Sequence, residues 1–147
     1  MKKKKYTDIS ITEITVKAGV SRISFYRNFH SKEEIIQKWV RDITSIFLKN
    51  SNISYKNDSL ENYFIKLFSH LEKYKEEATL IYNAGLIYLL KFEFENTFLE
   101  SNKDKYNDYK SYFIIGGIFN IYYYWLINGY QESPKDLSLK LVDLLVK

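Results

Sequence analysis

A chain of 147 residues is long enough to bury the core of one domain, and 14 Tyr and 10 Phe against only 5 Gly and 1 Pro favour long helices over a turn-rich β fold. The absence of Cys excludes disulfides and thiolate metal sites. With the two histidines, His30 and His70, far apart in sequence, no metal and no cofactor is expected. The net charge of +4 is unevenly shared: residues 1–41 hold ten Lys/Arg against four acids and the rest 12 against 14, the pattern of a basic head that meets phosphates on a slightly acidic body.

In chain order, Lys2–Lys5 form a basic run with a disordered tip. Ser10 with Glu13 has the spacing of a capping box, and Ile9 and Ile14 flank it as a hydrophobic staple. A helix is predicted over Ile11–Ala18, with Ile11, Ile14 and Ala18 on one face. Gly19 can take the left-handed conformation that ends a helix, Val20 would plug the turn, and Ser21 can cap the next helix at once. That helix, Arg22–Phe29, separates Phe25 and Phe29, spaced for a core, from Arg22 and Tyr26, which turn away from it. Ser31 with Glu34 repeats the capping spacing and opens a helix to about Lys49. Its apolar side holds Ile35, Ile36, Trp39, Val40, Ile43, Ile46 and Phe47. Two short helices meeting at a tight turn read as a helix-turn-helix, and so as a protein that docks on DNA.

Beyond Asn50 a loop is expected at Ile53–Asn57, then a helix capped by Asp58 or Ser59 and running to about Lys75. Glu76–Phe98 reads as helical with a break near Gly85, Glu100–Asp108 as a polar linker, and Tyr109–Asn128 as the most apolar helix, stopping at Gly129. Its core, Tyr112–Ile127, is shorter than the ~20 residues of a membrane span and carries Asn120, so it is expected to be a buried helix with no membrane partner. Ser133-Pro134 starts a last helix to Val146. No secretory signal is expected, because Met1–Lys5 leads into polar residues. Without a Gly-rich phosphate loop or a nucleophile elbow, no catalytic residues are expected and the protein reads as a non-enzyme.

The stretch Ile9–Ile36 resembles the DNA-binding region of the TetR family of bacterial transcriptional regulators, through EITVKAGVS, RISFYRNF and SKEEII in that order and spacing. Gly116-Gly117, Trp125-Leu126 and NGYQESPKDLSLKLVDLL are similar to the family's last two helices, which build a four-helix dimer interface. The resemblance implies an all-α fold with an incomplete helix-turn-helix region at 1–36 and a helical ligand-binding and dimerisation domain at 37–147. It implies a cytoplasmic, ligand-responsive repressor that binds a pseudo-palindromic operator in double-stranded DNA as a homodimer and answers to a small-molecule effector. By matching position, Arg22, Ile23 and Ser24 open the recognition helix, Thr12 lies on the helix before it, and Tyr26, His30 and Lys32 meet the DNA backbone or base edges. The chemistry is compatible: Arg22 can fork onto a guanine edge and Ile23 can meet a thymine methyl, while Lys17, Tyr26, Arg27 and Lys32 suit phosphates.

One departure stands out. Family members carry a further helix before this stretch, where this chain has only Met1–Asp8, so part of the face of Ile11, Ile14, Phe25 and Phe29 is expected to lie uncovered. The favoured explanation is a start upstream of Met1. The others are a head sustained by the helix that follows it, or a TetR-like dimeric interaction module or co-regulator that no longer binds DNA. A ligand pocket in the body would draw on Tyr63, Phe64, Phe68, Tyr82, Tyr88, Phe92, Phe94 and Phe98, although aromatics at helical spacing equally suit a plain core. An isologous dimer interface would use Gly116, Gly117, Tyr122, Trp125, Leu137, Leu141 and Leu145, which also fit packing within one chain.

Overall fold

Capping side chains set where most helices begin. The computed structural model describes residues 1–50, 59–101 and 109–146. A 3-10 turn at Tyr6–Asp8 precedes α1 (Ile11–Ala18), α2 (Arg22–Asn28), α3 (Lys32–Asn50), α4 (Leu60–Glu72), α5 (Lys75–Asn83), α6 (Ile87–Ser101), α7 (Tyr109–Ile127) and α8 (Pro134–Val146). The fold is all-α, with no strand among the described residues. Ser10 Oγ accepts from Glu13 N at 3.1 Å while Glu13 Oε2 accepts from Ser10 N at 2.8 Å, the reciprocal box its spacing predicts. Ser21, Ser59 and Ser133 each accept from the backbone N–H three residues on. Gly19, at φ 68°, closes α1 in the left-handed region.

Two boundaries differ from expectation, while the break expected near Gly85 is present. The helix expected to reach Lys75 breaks after Glu72 with no Gly or Pro to signal it, and the Tyr74 ring turns edge-on to Trp39 at 5.7 Å and to His70 at 5.3 Å. The segment from Glu76 is two helices, parted at Ala84–Leu86 around Gly85 (φ 75°). The division expected after residue 36 falls inside α3, so one unbroken helix carries the head into the body. The loop expected at 53–57 and most of the linker at 100–108 lie outside the described residues.

In the body α3 packs along α6, α4 along α8, and α7 against both α6 and α5. Aromatic rings tile the space between them. Phe68 meets Trp125 edge-on at 5.8 Å, Phe94 lies 4.6 Å from Phe98 and 5.7 Å from Phe119, and Phe47 meets Phe98 at 6.4 Å. Within the α3–α6 seam sits Glu93, 3% exposed, whose two carboxylate oxygens accept from Arg41 Nε and Nη2 at 3.1 and 3.2 Å. No described helix is long and apolar enough to cross a membrane.

His70 lies 2.8 Å by Nε2 from the Ile43 carbonyl, an acceptor only, so Nε2 carries the proton. Burial holds its pKa below the ordinary histidine value. The unfolded chain therefore takes up this proton first as pH falls, and the stability His70 contributes is present above about pH 6.5 and declines below it. Urea midpoints measured between pH 7 and pH 5 are expected to fall for the wild type and to fall less for His70→Gln.

Candidate nucleic-acid interface

The head is built from α1, α2 and the turn at 19–21 between them. Phe25, 5% exposed, anchors α2, with its ring against Phe29 at 5.6 Å and edge-on to Tyr26 at 5.2 Å. The opposite face of α2 is left to solvent. Arg22, Ile23 (68% exposed), Tyr26 and Arg27 are all exposed on α2, and Ser24 is half-buried with its hydroxyl on Ser21 at 3.0 Å. Thr12 and Lys17 are exposed on α1. His30 is exposed just before α3, its backbone N–H donating to Glu34 Oε2 at 2.7 Å, a bond that holds the Glu34 carboxyl below its ordinary pKa. Among the described residues Lys17, Arg22 and Arg27 form no ion pair, so three cations stand uncommitted on one small head.

Lys32 departs from its expected role. Its ammonium donates to the carbonyls of Tyr6 at 3.0 Å and Ile9 at 2.7 Å and sits 4.4 Å above the Tyr6 ring. Two of its three donors are thus used within the chain, and it braces the N-terminal segment instead of facing a phosphate. Tyr6 in turn donates to Glu33 Oε1 at 2.6 Å, which lowers the Glu33 pKa, while burial first and this bond second raise that of Tyr6. Lys4 pairs with Glu13, an interaction that, with the capping bonds from Ser10, brings Glu13 down to about 2. Lys2 reaches Glu76 on α5 at 2.7 Å.

The basic run, expected to be disordered at its tip, is therefore tied at several points, and Tyr6 packs against the hydrophobic core. The face expected to lie open is largely closed as well: Phe25 is buried, and Ile11, Ile14 and Phe29 are half-buried. In α1 the buried position is Thr15, whose hydroxyl bonds the Thr12 carbonyl at 3.0 Å, while Ala18 is exposed. Thr15 follows Ile11 by four residues, a spacing that marks it as part of the same face once its hydroxyl is satisfied locally. Val16, Val20 and Ile23 remain exposed around the turn, so Val20 does not plug it, and Ile46 is exposed on α3.

The residues expected at a dimer interface divide. Tyr122, Trp125, Leu137 and Leu141 lie in the chain's own core and are not free to meet a partner. Gly116 is half-buried, and Gly117 and Leu145 are exposed. What α7 leaves outside is a stripe of Tyr109 (95% exposed), Phe113 (79%), Gly117, Tyr124 and Ile127, at spacings of three, four and seven residues.

The expected ligand-pocket residues also divide. Phe64 and Phe68 are sealed in the core, Tyr63 packs edge-on to Phe64 and Phe47, and Tyr82 packs edge-on to Tyr123. Tyr88 and Phe92 are exposed on α6, and Phe94 and Phe98 are buried. A small pocket of about 20 Å³ is lined by Thr44, Trp39, Leu90, Phe94, Phe119 and Tyr122 among others, and of the expected pocket residues only Phe94 borders it. That volume holds about one water, which the Thr44 hydroxyl, without a partner of its own, is placed to bond. No cluster of His, Cys, Asp or Glu among the described residues could hold a metal ion.

No protein family's sequence profile matches the chain, and no curated protein is similar to it.

Proposed function

We propose that the protein is a DNA-binding transcriptional regulator of the TetR type, a ligand-responsive repressor that acts in the cytoplasm as a homodimer on a pseudo-palindromic operator. The observation that carries this reading is the division of α2: Phe25 is buried against the body of the head while Arg22, Ile23, Tyr26 and Arg27 are all left to solvent. A helix so presented suits the major groove, with Arg22 on a guanine edge, Ile23 on a thymine methyl, and Tyr26, Arg27, Lys17 and Thr12 toward phosphates. The continuous α3 supports the regulatory half, since a ligand that shifts α3 against α6 moves the head with it. An effector in the body would have to widen the small pocket between these helices.

Gel retardation on DNA flanking the gene tests the reading. A shift at low salt is expected, with affinity falling steeply as salt rises. Arg22→Ala is expected to weaken binding by about 1–3 kcal/mol and to relax sequence preference at one base pair per half-site. Tyr26→Ala is expected to weaken binding across all sequences. No retardation at low salt overturns the proposal.

A second reading is a TetR-like dimeric interaction module or co-regulator that docks protein in place of DNA. The exposed Val16, Val20 and Ile23 around the turn favour it. In that case Arg22→Ala and Tyr26→Ala leave function intact.

A further inference from the structure

The N-terminal segment does more than brace the head. Between residues 1–7 and the C-terminal half of α5 it walls a cleft of about 600 Å³, within the range of small-molecule sites. The wall is built: the segment is held by Lys2 on Glu76, Lys4 on Glu13, Tyr6 on Glu33 and Lys32 on the Tyr6 and Ile9 carbonyls. The two ion pairs occupy alternate lysines. Lys3 and Lys5, which line the cleft, have no acidic partner among the described residues, and no acidic residue lines the cleft. Four ammonium groups on successive residues repel one another, and the two left unpaired favour an anion between them.

The opposite wall has another chemistry. Leu80 and Ala84 of α5 and its junction bring apolar side chains to the lining, and Asn83 adds one neutral amide. A free inorganic anion would use only the lysines and leave this surface wet, whereas a neutral apolar molecule would leave the lysines unanswered.

We propose that this cleft binds an amphipathic anion, a carboxylate or phosphate monoester on a short alkyl or aryl body, with Lys3 and Lys5 at the charged end and Leu80 and Ala84 along the apolar one. The site goes beyond the DNA-binding reading and does not depend on it. It lies outside the helical core and joins the segment that braces α1 and α3 to α5, so an occupant contacts both head and body.

Calorimetric titration of the full chain, carrying any purification tag at its C-terminus, tests this with octyl phosphate and octanoate below their micelle concentrations. At least one of the two is expected to saturate at one per chain, and the preferred head group identifies the anion. Octanol and inorganic phosphate are each expected to bind at least about tenfold more weakly. Lys3→Glu with Lys5→Glu is expected to weaken the anion by about tenfold or more, while Lys135→Glu on α8 leaves it unchanged and circular dichroism shows all variants equally folded. Failure of both anions to saturate, equal binding of octanol, or an unchanged affinity in the double variant each overturns the proposal.

Discussion

If the protein is the proposed homodimeric repressor, Phe113→Asp is expected to leave it monomeric and to lower operator affinity by about two to four orders of magnitude, because each head would then bind its half-site without the linkage that makes the second contact intramolecular. The outer stripe of α7 is the surface at issue. A helix that is apolar all round is ordinarily buried all round. Here Ile115, Ile118, Phe119 and Tyr122 face the chain's own core, yet Tyr109, Phe113, Tyr124 and Ile127 face outward with Gly117 among them. A glycine amid aromatics lets a second helix backbone approach closely while the rings on either side fill the flanks. Two copies related by a twofold axis would present this stripe to itself, and Leu144 and Leu145 of α8 add further apolar surface. A carboxylate at position 113 would then be desolvated on both sides of the axis, and separation relieves that cost. Light scattering coupled to gel filtration gives the mass, and gel retardation with the same samples gives the affinity. A wild type that is monomeric at micromolar concentration, or a variant that stays dimeric, removes the interface from α7.

Much of this architecture is legible in the chain because helix ends are local chemistry. Ser10 with Glu13, Gly19, Ser21 and Ser133-Pro134 each fix a backbone hydrogen bond or dihedral within a few residues, and each sits at a helix end in the structure. The break at Lys73-Tyr74 has no such signal, because what favours it is the packing of Tyr74 on Trp39 of α3, a residue brought near only by the fold. The same limit explains α7. Periodicity finds an apolar helix, but with aromatics on every side it does not say which face belongs to the core, and Tyr122 and Trp125 were equally suited to either.

The candidate DNA face shows both limits in one place. Arg22, Ile23, Tyr26 and Arg27 are legible because Phe25 and Phe29 fix the inward face of α2 by spacing alone. Lys32 is not, since its role depends on two carbonyls 26 and 23 residues away in sequence. A lysine near a basic head reads as a phosphate ligand until the chain's own backbone is seen to use it. The consequence reaches the head as a whole. Tyr6, Lys32 and Glu33 tie the segment before α1 to the start of α3, which steadies α1 where the resemblance leads one to expect a further helix.

Trp125→Ala is expected to destabilise the fold by about 3–5 kcal/mol, a large share of the stability of a domain of this size. The side chain is fully buried and touches two separate parts of the chain: its ring is edge-on to Phe68 of α4 at 5.8 Å and to Tyr130 at 4.7 Å, and Nε1 donates to the Glu132 carbonyl at 2.9 Å. The last two contacts hold the turn between α7 and α8. That turn is strained, since Tyr130 takes φ 55°, a region a side-chain-bearing residue occupies only when its surroundings insist. The insistence comes from Trp125, through the ring contact and through its carbonyl, which accepts from Tyr130 N at 2.9 Å, and from Tyr122, whose hydroxyl lies 3.4 Å from that of Tyr130. Removing the indole opens a cavity beside Phe68 and leaves the Glu132 carbonyl without its donor, so the loss combines a packing and a hydrogen-bond cost. Trp125→Phe separates the two: it keeps most of the ring volume, loses the bond, and is expected to cost about 1–3 kcal/mol. Thermal melts should drop by roughly 6–20 °C for the alanine variant and by less for phenylalanine. Because α8 is set against α4 through this turn, the alanine variant is also expected to weaken any dimer formed through α7 and α8 at temperatures where the chain is still folded. A melt unchanged within 2 °C would mean that Trp125 is not the post on which the α7–α8 pair is hung.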